Sequence, residues 1–286
     1  MNMNPSSSIK DYLAPTRTLG AILIDAGRLN PLQLTLVLEL QQMEGLRFGE
    51  AAQQLGILDA NDILYGLTRQ FEYISLAPGD ATVAPEVLAA FGSSHPLLEG
   101  LRDVRSQIML HWMEQMYSQR SVALISAQRG EGKSFVAANL AVLFAQLGQR
   151  TLLVDADLIH PRQHTLFNLD NRSGLSSVLC GLAGLQVAAP IPRLGGLTVL
   201  TAGPTPPNPR ELLSRPLLSN LLAQAGQEFD AVLIDTPSGA LIDARIIAAN
   251  AGASVLVSRP KASTVAETAA LTSALGNLLG AVVNQF

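Results

Sequence analysis

Lys133 and Ser134, preceded by Gly130-Glu-Gly132, are the residues best suited to chemistry. They close the stretch Val122-Ala-Leu-Ile-Ser-Ala-Gln-Arg-Gly-Glu-Gly-Lys-Ser134, an apolar run, a glycine-containing turn and the start of a helix. Glycines let successive backbone N–H groups face one concavity, and the helix N-terminus adds partial positive charge. Such a loop binds phosphate, with Lys133 reaching the terminal phosphates and the Ser134 hydroxyl taking magnesium. Gln128, Arg129, Gly130, Glu131, Gly132, Lys133, Ser134 and Phe135 are the candidate nucleotide-binding residues. Ala127 stands where the usual G-x-x-x-x-G-K-[ST] pattern has its first glycine.

Three aspartates form a second set. Leu152-Leu-Val-Asp155-Ala-Asp157 and Val232-Leu-Ile-Asp235-Thr-Pro237 each run from apolar residues into acid. A carboxylate at the end of a buried strand is costly unless it meets water, a donor or a cation. Magnesium on a nucleotide is such a cation, and three aspartates at the sheet edge expected to carry Lys133 point to a shared Mg-nucleotide site.

These residues need a scaffold that brings them together. Strand-like runs at Val122–Ser126, Thr151–Asp155, Leu197–Thr201, Ala231–Asp235, Ala253–Val257 and Ala281–Asn284 alternate with helical stretches. The alternation predicts an α/β fold, a P-loop NTPase with a mainly parallel sheet flanked by helices. Ligands bind beyond the carboxyl ends of such strands, so Lys133 and the aspartates should share one sheet edge. A helix over Pro96–Gln119 leads into the first strand, with Trp112 and Met113 as packing residues. Glu99, Arg102 and Arg105 recur three apart on one face of it.

Upstream, Thr18–Gln41 and Arg47–Gln70 align at an offset of 29 residues: Gly20 with Gly49, Gly27 with Gly56, Leu38 with Leu67. Self-similarity at fixed offset implies two copies of one supersecondary unit. Each copy reads as a short helix ended by glycine and a second helix capped by Asn30 or Asp59. Leu34, Leu38, Ile63 and Leu67 fall at helical spacing and read as core. The predicted organisation is a flexible tail over 1–16, a small helical domain over 17–75, a linker over 76–95 and the α/β domain over 96–286. His95 reads as a solvent-exposed linker residue.

A net charge of −4 and the lack of a basic stripe argue against nucleic-acid or anionic-membrane binding. One cysteine, Cys180, excludes an internal disulfide and reads as a small buried side chain. The N-terminus lacks a signal-peptide layout, and no apolar run is long enough to span a bilayer. The expected location is cytoplasmic.

Residues 18–70 resemble the MshEN-like N-terminal domain of type II secretion and type IV pilus ATPases, with Arg47-Phe48-Gly49 fitting the opening of the second motif. Some members of that family bind cyclic di-GMP. In the first motif Thr18 replaces the expected arginine, and Gln53 is polar where ligand-binding members are apolar. A helical protein-interaction module is the favoured reading, with cyclic di-GMP binding as the alternative.

From Pro96 to Phe286 the chain resembles the bacterial P-loop tyrosine kinases (BY-kinases), most of all the EpsG-type chain-length determinant kinases. Gly130-Glu-Gly132-Lys133-Ser134 matches that family's Walker A variant, which also lacks the first glycine. Leu153-Val-Asp155-Ala-Asp157 fits its Walker A′ motif, Leu233-Ile-Asp235-Thr-Pro237 its Walker B, and Pro207–Ser214 a further family stretch. Glu99-x-x-Arg102-x-x-Arg105 fits the motif through which members assemble into rings. The resemblance implies ATP and magnesium, the ion held by Ser134, Asp157 and Asp235, with Lys133, Asp155 and Asp157 as catalytic residues and Asp155, or alternatively Asp157, as the base. It further implies a homo-oligomeric ring and a transmembrane polysaccharide co-polymerase that brings the kinase to the inner face of the plasma membrane. MinD/ParA-type ATPases are the rival, but they carry lysine at the position of Gln128. A non-kinase ATPase switch of that class is the alternative function. Tyr12, Tyr65, Tyr73 and Tyr117 are the only tyrosines, and none follows the core as the family's acceptor cluster does.

Overall fold

The computed structural model describes residues 18–60, 62, 63, 66, 75–77, 79–92, 95–114, 120–214, 216–238 and 241–285. The chain divides into two compact units, residues 1–73 and 74–286.

The first unit contains α1 (Leu19–Asp25), α2 (Pro31–Glu44) and α3 (Phe48–Gln54). Its local geometry repeats at the offset read from the sequence. Asn30 and Gln33 exchange side-chain-to-backbone hydrogen bonds in a capping box, and Asp59 and Asp62 do the same 29 residues later. A Cβ on Gly20 would lie 2.5 Å from Leu34, and one on Gly49 would lie 3.2 Å from Ile63, so both glycines admit the equivalent side chain of the following helix. Leu23, Leu29, Val37, Ala51, Ala52 and Leu58 form the core, with Leu34 and Ile63 packed against it. Leu38, expected in that core, is 48% exposed: Val37 takes the inward position on α2. Leu67 lies outside the described residues.

In the second unit, residues 75–92 are part of the core rather than a linker. Leu76, Val83, Val87, Ala89 and Ala90 are buried among the residues that cover one sheet face. The turn residues Pro85 and Gly92 break regular structure but do not free the segment, because its apolar residues have a surface to cover. A 3-10 turn (Leu88–Phe91) precedes α4 (Pro96–Glu114). His95 is half-buried and accepts the Leu97 N–H through Nδ1 at 3.3 Å.

β1 (Ser121–Ile125), α5 (Lys133–Gln146) and β2 (Thr151–Asp155) follow. Next come α6 (Gln163–Leu166), α7 (Leu175–Leu179), β3 (Ala189–Pro190) and β4 (Leu197–Leu200). The chain continues through α8 (Pro209–Leu213), α9 (Pro216–Glu228), β5 (Ala231–Asp235) and α10 (Leu241–Asn250). β6 (Ala253–Ser258), α11 (Val265–Ser273) and β7 (Leu278–Val283) complete it. The sheet order is β3-β4-β2-β5-β1-β6-β7, parallel throughout except for the short edge strand β3.

Strand residues alternate between two cores. Val122, Leu124, Leu153 and Leu233 face α4, α5 and the 75–92 segment. Ala123, Ile125, Leu152, Val154, Val232 and Ile234 face the opposite layer, with α7 to α10. α5 is buried along almost its whole length, Val136 to Ala145, because sheet and 75–92 segment enclose it. Trp112 packs on Phe144 with ring centroids 5.5 Å apart. Cys180, read as buried, is exposed at the C-terminal end of α7, where Val178 and Leu179 turn inward instead.

Candidate functional site

The loop between β1 and α5 turns on Gly130 and Gly132, whose φ values are 86° and 91°. Gly132 is the N-cap of α5. A Cβ there would stand 2.0 Å from Asn284 Nδ2, which donates to the Glu131 carbonyl at 3.0 Å. Glycine is thus required twice at this position, by conformation and by space.

The loop is held from outside by residues beyond β6. The buried Glu131 carboxylate accepts from the Gln128 N–H at 2.7 Å and the Ser263 hydroxyl at 2.7 Å. Gln128 Nε2 donates to Glu267 Oε1 at 2.8 Å, while Glu267 also closes the capping box of α11 with Thr264. The side chains of Gln128 and Glu131, expected among the nucleotide ligands, are therefore committed to bracing the loop. Arg129, Gly130, Glu131, Gly132, Lys133, Ser134 and Phe135 all border a cleft of about 410 Å³, whose opposite wall includes Asp157, His160 and Arg162.

Beneath the cleft Asp155 and Asp235 lie side by side, ending adjacent strands in direct register. Lys133 Nζ sits 3.1 Å from Asp235 Oδ1, and both side chains are buried. Gln163 Nε2 donates to Asp235 Oδ2 at 2.8 Å and to the Ser134 carbonyl at 3.1 Å. Asp155 accepts three backbone N–H groups, from Asp157 at 3.2 Å and from Arg162 and Gln163 at 2.9 Å each. Asp157 accepts from Ile159 at 3.2 Å and His160 at 2.9 Å, fixing the loop after β2. Burial, and next the charge of Asp235, push the Asp155 carboxyl up to about 8, against the pull of the donors from Gln163 and Arg162.

The donor set fits magnesium on a nucleotide. Ser134, Asp157 and Asp235 offer hard oxygens, and no group of three or more acidic, histidine or cysteine side chains among the described residues could hold a metal unaided.

Glu99, Arg102 and Arg105 do not share one environment. Glu99 and Arg102 pair at the surface, whereas Arg105 is 6% exposed and donates through Nη1 to the Leu143 carbonyl at 2.9 Å. Arg105 thus caps the last turn of α5, where a cation suits the helix dipole. The four tyrosines lie outside the described residues.

A family model described as ParA, NUBPL iron-transfer P-loop NTPase, matches residues 118–275. The tyrosine-protein kinase YwqD of Bacillus subtilis is 41% identical over 191 residues, covering 65% of this chain and 80% of that protein. The chain belongs to the bacterial P-loop tyrosine kinase family. The solved kinase domain of Escherichia coli tyrosine kinase ETK, at 33% identity, superposes with a TM-score of 0.65 over 72% of this chain and 81% of that one. The cell division ATPase MinD of Pyrococcus furiosus, 27% identical, gives 0.51 over 59% of this chain and 73% of that one. The bacterial tyrosine kinase family therefore matches over more of the chain than the MinD ATPase does. The N-terminal repeat has its own cavity of about 470 Å³, bordered by Leu19, Arg47, Phe48 and Gly49 among others. The comparisons lend cyclic di-GMP at that cavity no support.

Sequence reasoning missed Gln163, Asn284 and Ser263. Each lies far along the chain from the residue it supports, in no motif that spacing reveals. The Thr264-x-x-Glu267 spacing of a capping box went unread as well, and nothing local points to its second use, on Gln128.

Proposed function

We propose that this protein is an ATP-dependent protein-tyrosine kinase that phosphorylates itself or a partner, with Lys133, Ser134, Asp155, Asp157 and Asp235 as its working residues. The observation that carries the proposal is the buried trio of Lys133, Asp155 and Asp235 beneath the glycine loop. Lys133 and the loop N–H groups hold the phosphates of ATP and neutralise charge as it spreads over the transferred group. Magnesium held by Ser134, Asp157 and Asp235 would supply further neutralisation. The tyrosine oxygen attacks the γ-phosphorus, the bond to the β–γ bridging oxygen breaks, and ADP departs. The hydroxyl proton passes to the Asp155/Asp157 pair, of which Asp157 stands on the cleft wall.

We place this activity in exopolysaccharide biosynthesis, beside a transmembrane co-polymerase whose chain-length control it regulates, and hence at the inner face of the plasma membrane. Support comes from the family kinship. No helix among the described residues is long and apolar enough to cross a membrane. The N-terminal repeat is read as a helical interaction module.

Incubation with γ-labelled ATP and magnesium, beside Lys133→Met, tests the proposal. Label on tyrosine is expected, falling by about a hundredfold or more in the variant. Released phosphate with unlabelled protein would instead make the chain an ATPase switch of the MinD/ParA-like kind.

A further inference from the structure

Gln163 is the first residue of the four-residue helix α6 and is fully buried, although nothing in its sequence setting marks it as functional. Its backbone N–H donates to Asp155 Oδ2 at 2.9 Å. Both acceptors facing its amide, Asp235 Oδ2 and the Ser134 carbonyl, lie within 3.1 Å, so the NH₂ group must point that way. One residue thus joins the two strand-end carboxylates to the first turn of α5. Its Oε1 is buried and has no hydrogen-bond partner. A buried acceptor left unpaired is destabilising, and a donor arriving with a ligand or a water would relieve it.

The two oxygens of Asp235 are divided by this arrangement. Oδ2 is held by a neutral amide, and Oδ1 by the buried ammonium of Lys133. When phosphates draw Lys133 toward the cleft, Oδ1 is released while Oδ2 stays fixed, so Asp235 meets an incoming cation without rotating. A neutral donor suits this role, since a second cation at Oδ2 would compete with the metal.

We propose that Gln163 is a positioning residue for magnesium: it clamps Asp235 so that Oδ1 alone exchanges Lys133 for the hydrated ion, and its free Oε1 accepts a hydrogen bond from that hydration shell. This rests on the nucleotide-and-magnesium reading of the cleft, but not on where the phosphoryl group goes.

The test is ADP binding to the full chain, followed with a fluorescent ADP analogue, with and without magnesium. In Gln163→Leu, the magnesium concentration that half-restores tight binding should rise about five- to tenfold, the effect of one ordinary hydrogen bond. Metal-free ADP binding should stay within about twofold of the parent protein. Gln163→Met, whose unbranched side chain fills the same volume, should behave likewise if the leucine variant folds poorly. An unchanged magnesium response in a folded variant overturns the proposal. So does equal loss of ADP binding with and without metal, or failure of both variants to fold, because each marks a purely structural residue. If the parent protein binds ADP without regard to magnesium, the reading of the cleft itself falls.

Discussion

Gly132 and Asn284 show how much of the site rests on single atoms. Glycine at 132 satisfies a left-handed φ of 91° and leaves room for an amide that donates to the neighbouring carbonyl. Gly132→Ala should cost about 1–3 kcal/mol from backbone strain alone and abolish measurable nucleotide binding. Adding Asn284→Ala should recover part of the thermal stability, since it removes the clash but not the strain. Full recovery in the double variant would show that space, not conformation, decides this position. At this scale the reactive residues were legible because Lys133, Ser134 and the aspartates sit in short local patterns. Their supports were not. Nothing near Gln163 announces Asp235, 72 residues away, because that contact exists only once β2 and β5 pair.

Among the elements, α5 is the one that carries the loop, and Asn139 fastens it to the segment over 75–92. Asn139 is fully buried; its Oδ1 accepts from Ala89 at 2.9 Å and its Nδ2 donates to the Glu86 and Phe135 carbonyls at 3.1 and 2.9 Å. Gln146 adds a bond from Nε2 to the Ala89 carbonyl at 2.8 Å. Asn139→Leu removes the partner of a buried N–H, at a cost of about 1–3 kcal/mol for that group alone. The variant should melt several degrees lower, with hydrogen exchange accelerated first at Val87 to Ala90. Uniform acceleration over the whole sheet would mean that the segment is not separately held. Composition misled here: Pro, Gly and Asp mark turns, and turn residues describe the path of a chain, not whether neighbouring apolar residues find a surface. Strand limits, by contrast, were read to within a few residues, because buried parallel strands are continuous apolar runs. The exception was the two-residue β3, too short to leave a pattern.

The whole molecule consists of two units whose boundary falls at 73/74. A chain beginning at residue 75 should fold cooperatively and bind ADP as the full chain does. One beginning at Pro96 should not, since it lacks the buried Leu76, Val83, Val87, Ala89 and Ala90. Circular dichroism melting of the two truncations decides the matter; equal stability would return 76–95 to the status of a linker. By itself the sequence determined the parallel α/β class, the phosphate loop, the strand-end aspartates and the duplicated helical unit. All of these are written in residue types over a few neighbours, where backbone conformation and side-chain period act directly. Only the tertiary structure decided that Arg105 caps α5, that Asn284 and Glu267 brace the loop, and that Gln163 joins Asp155 to Asp235. Those pairings depend on which distant segments the sheet order makes adjacent, a long-range consequence of packing that local spacing does not encode. The loop that opened the sequence supplies the phosphate chemistry, and residues far from it hold it in shape.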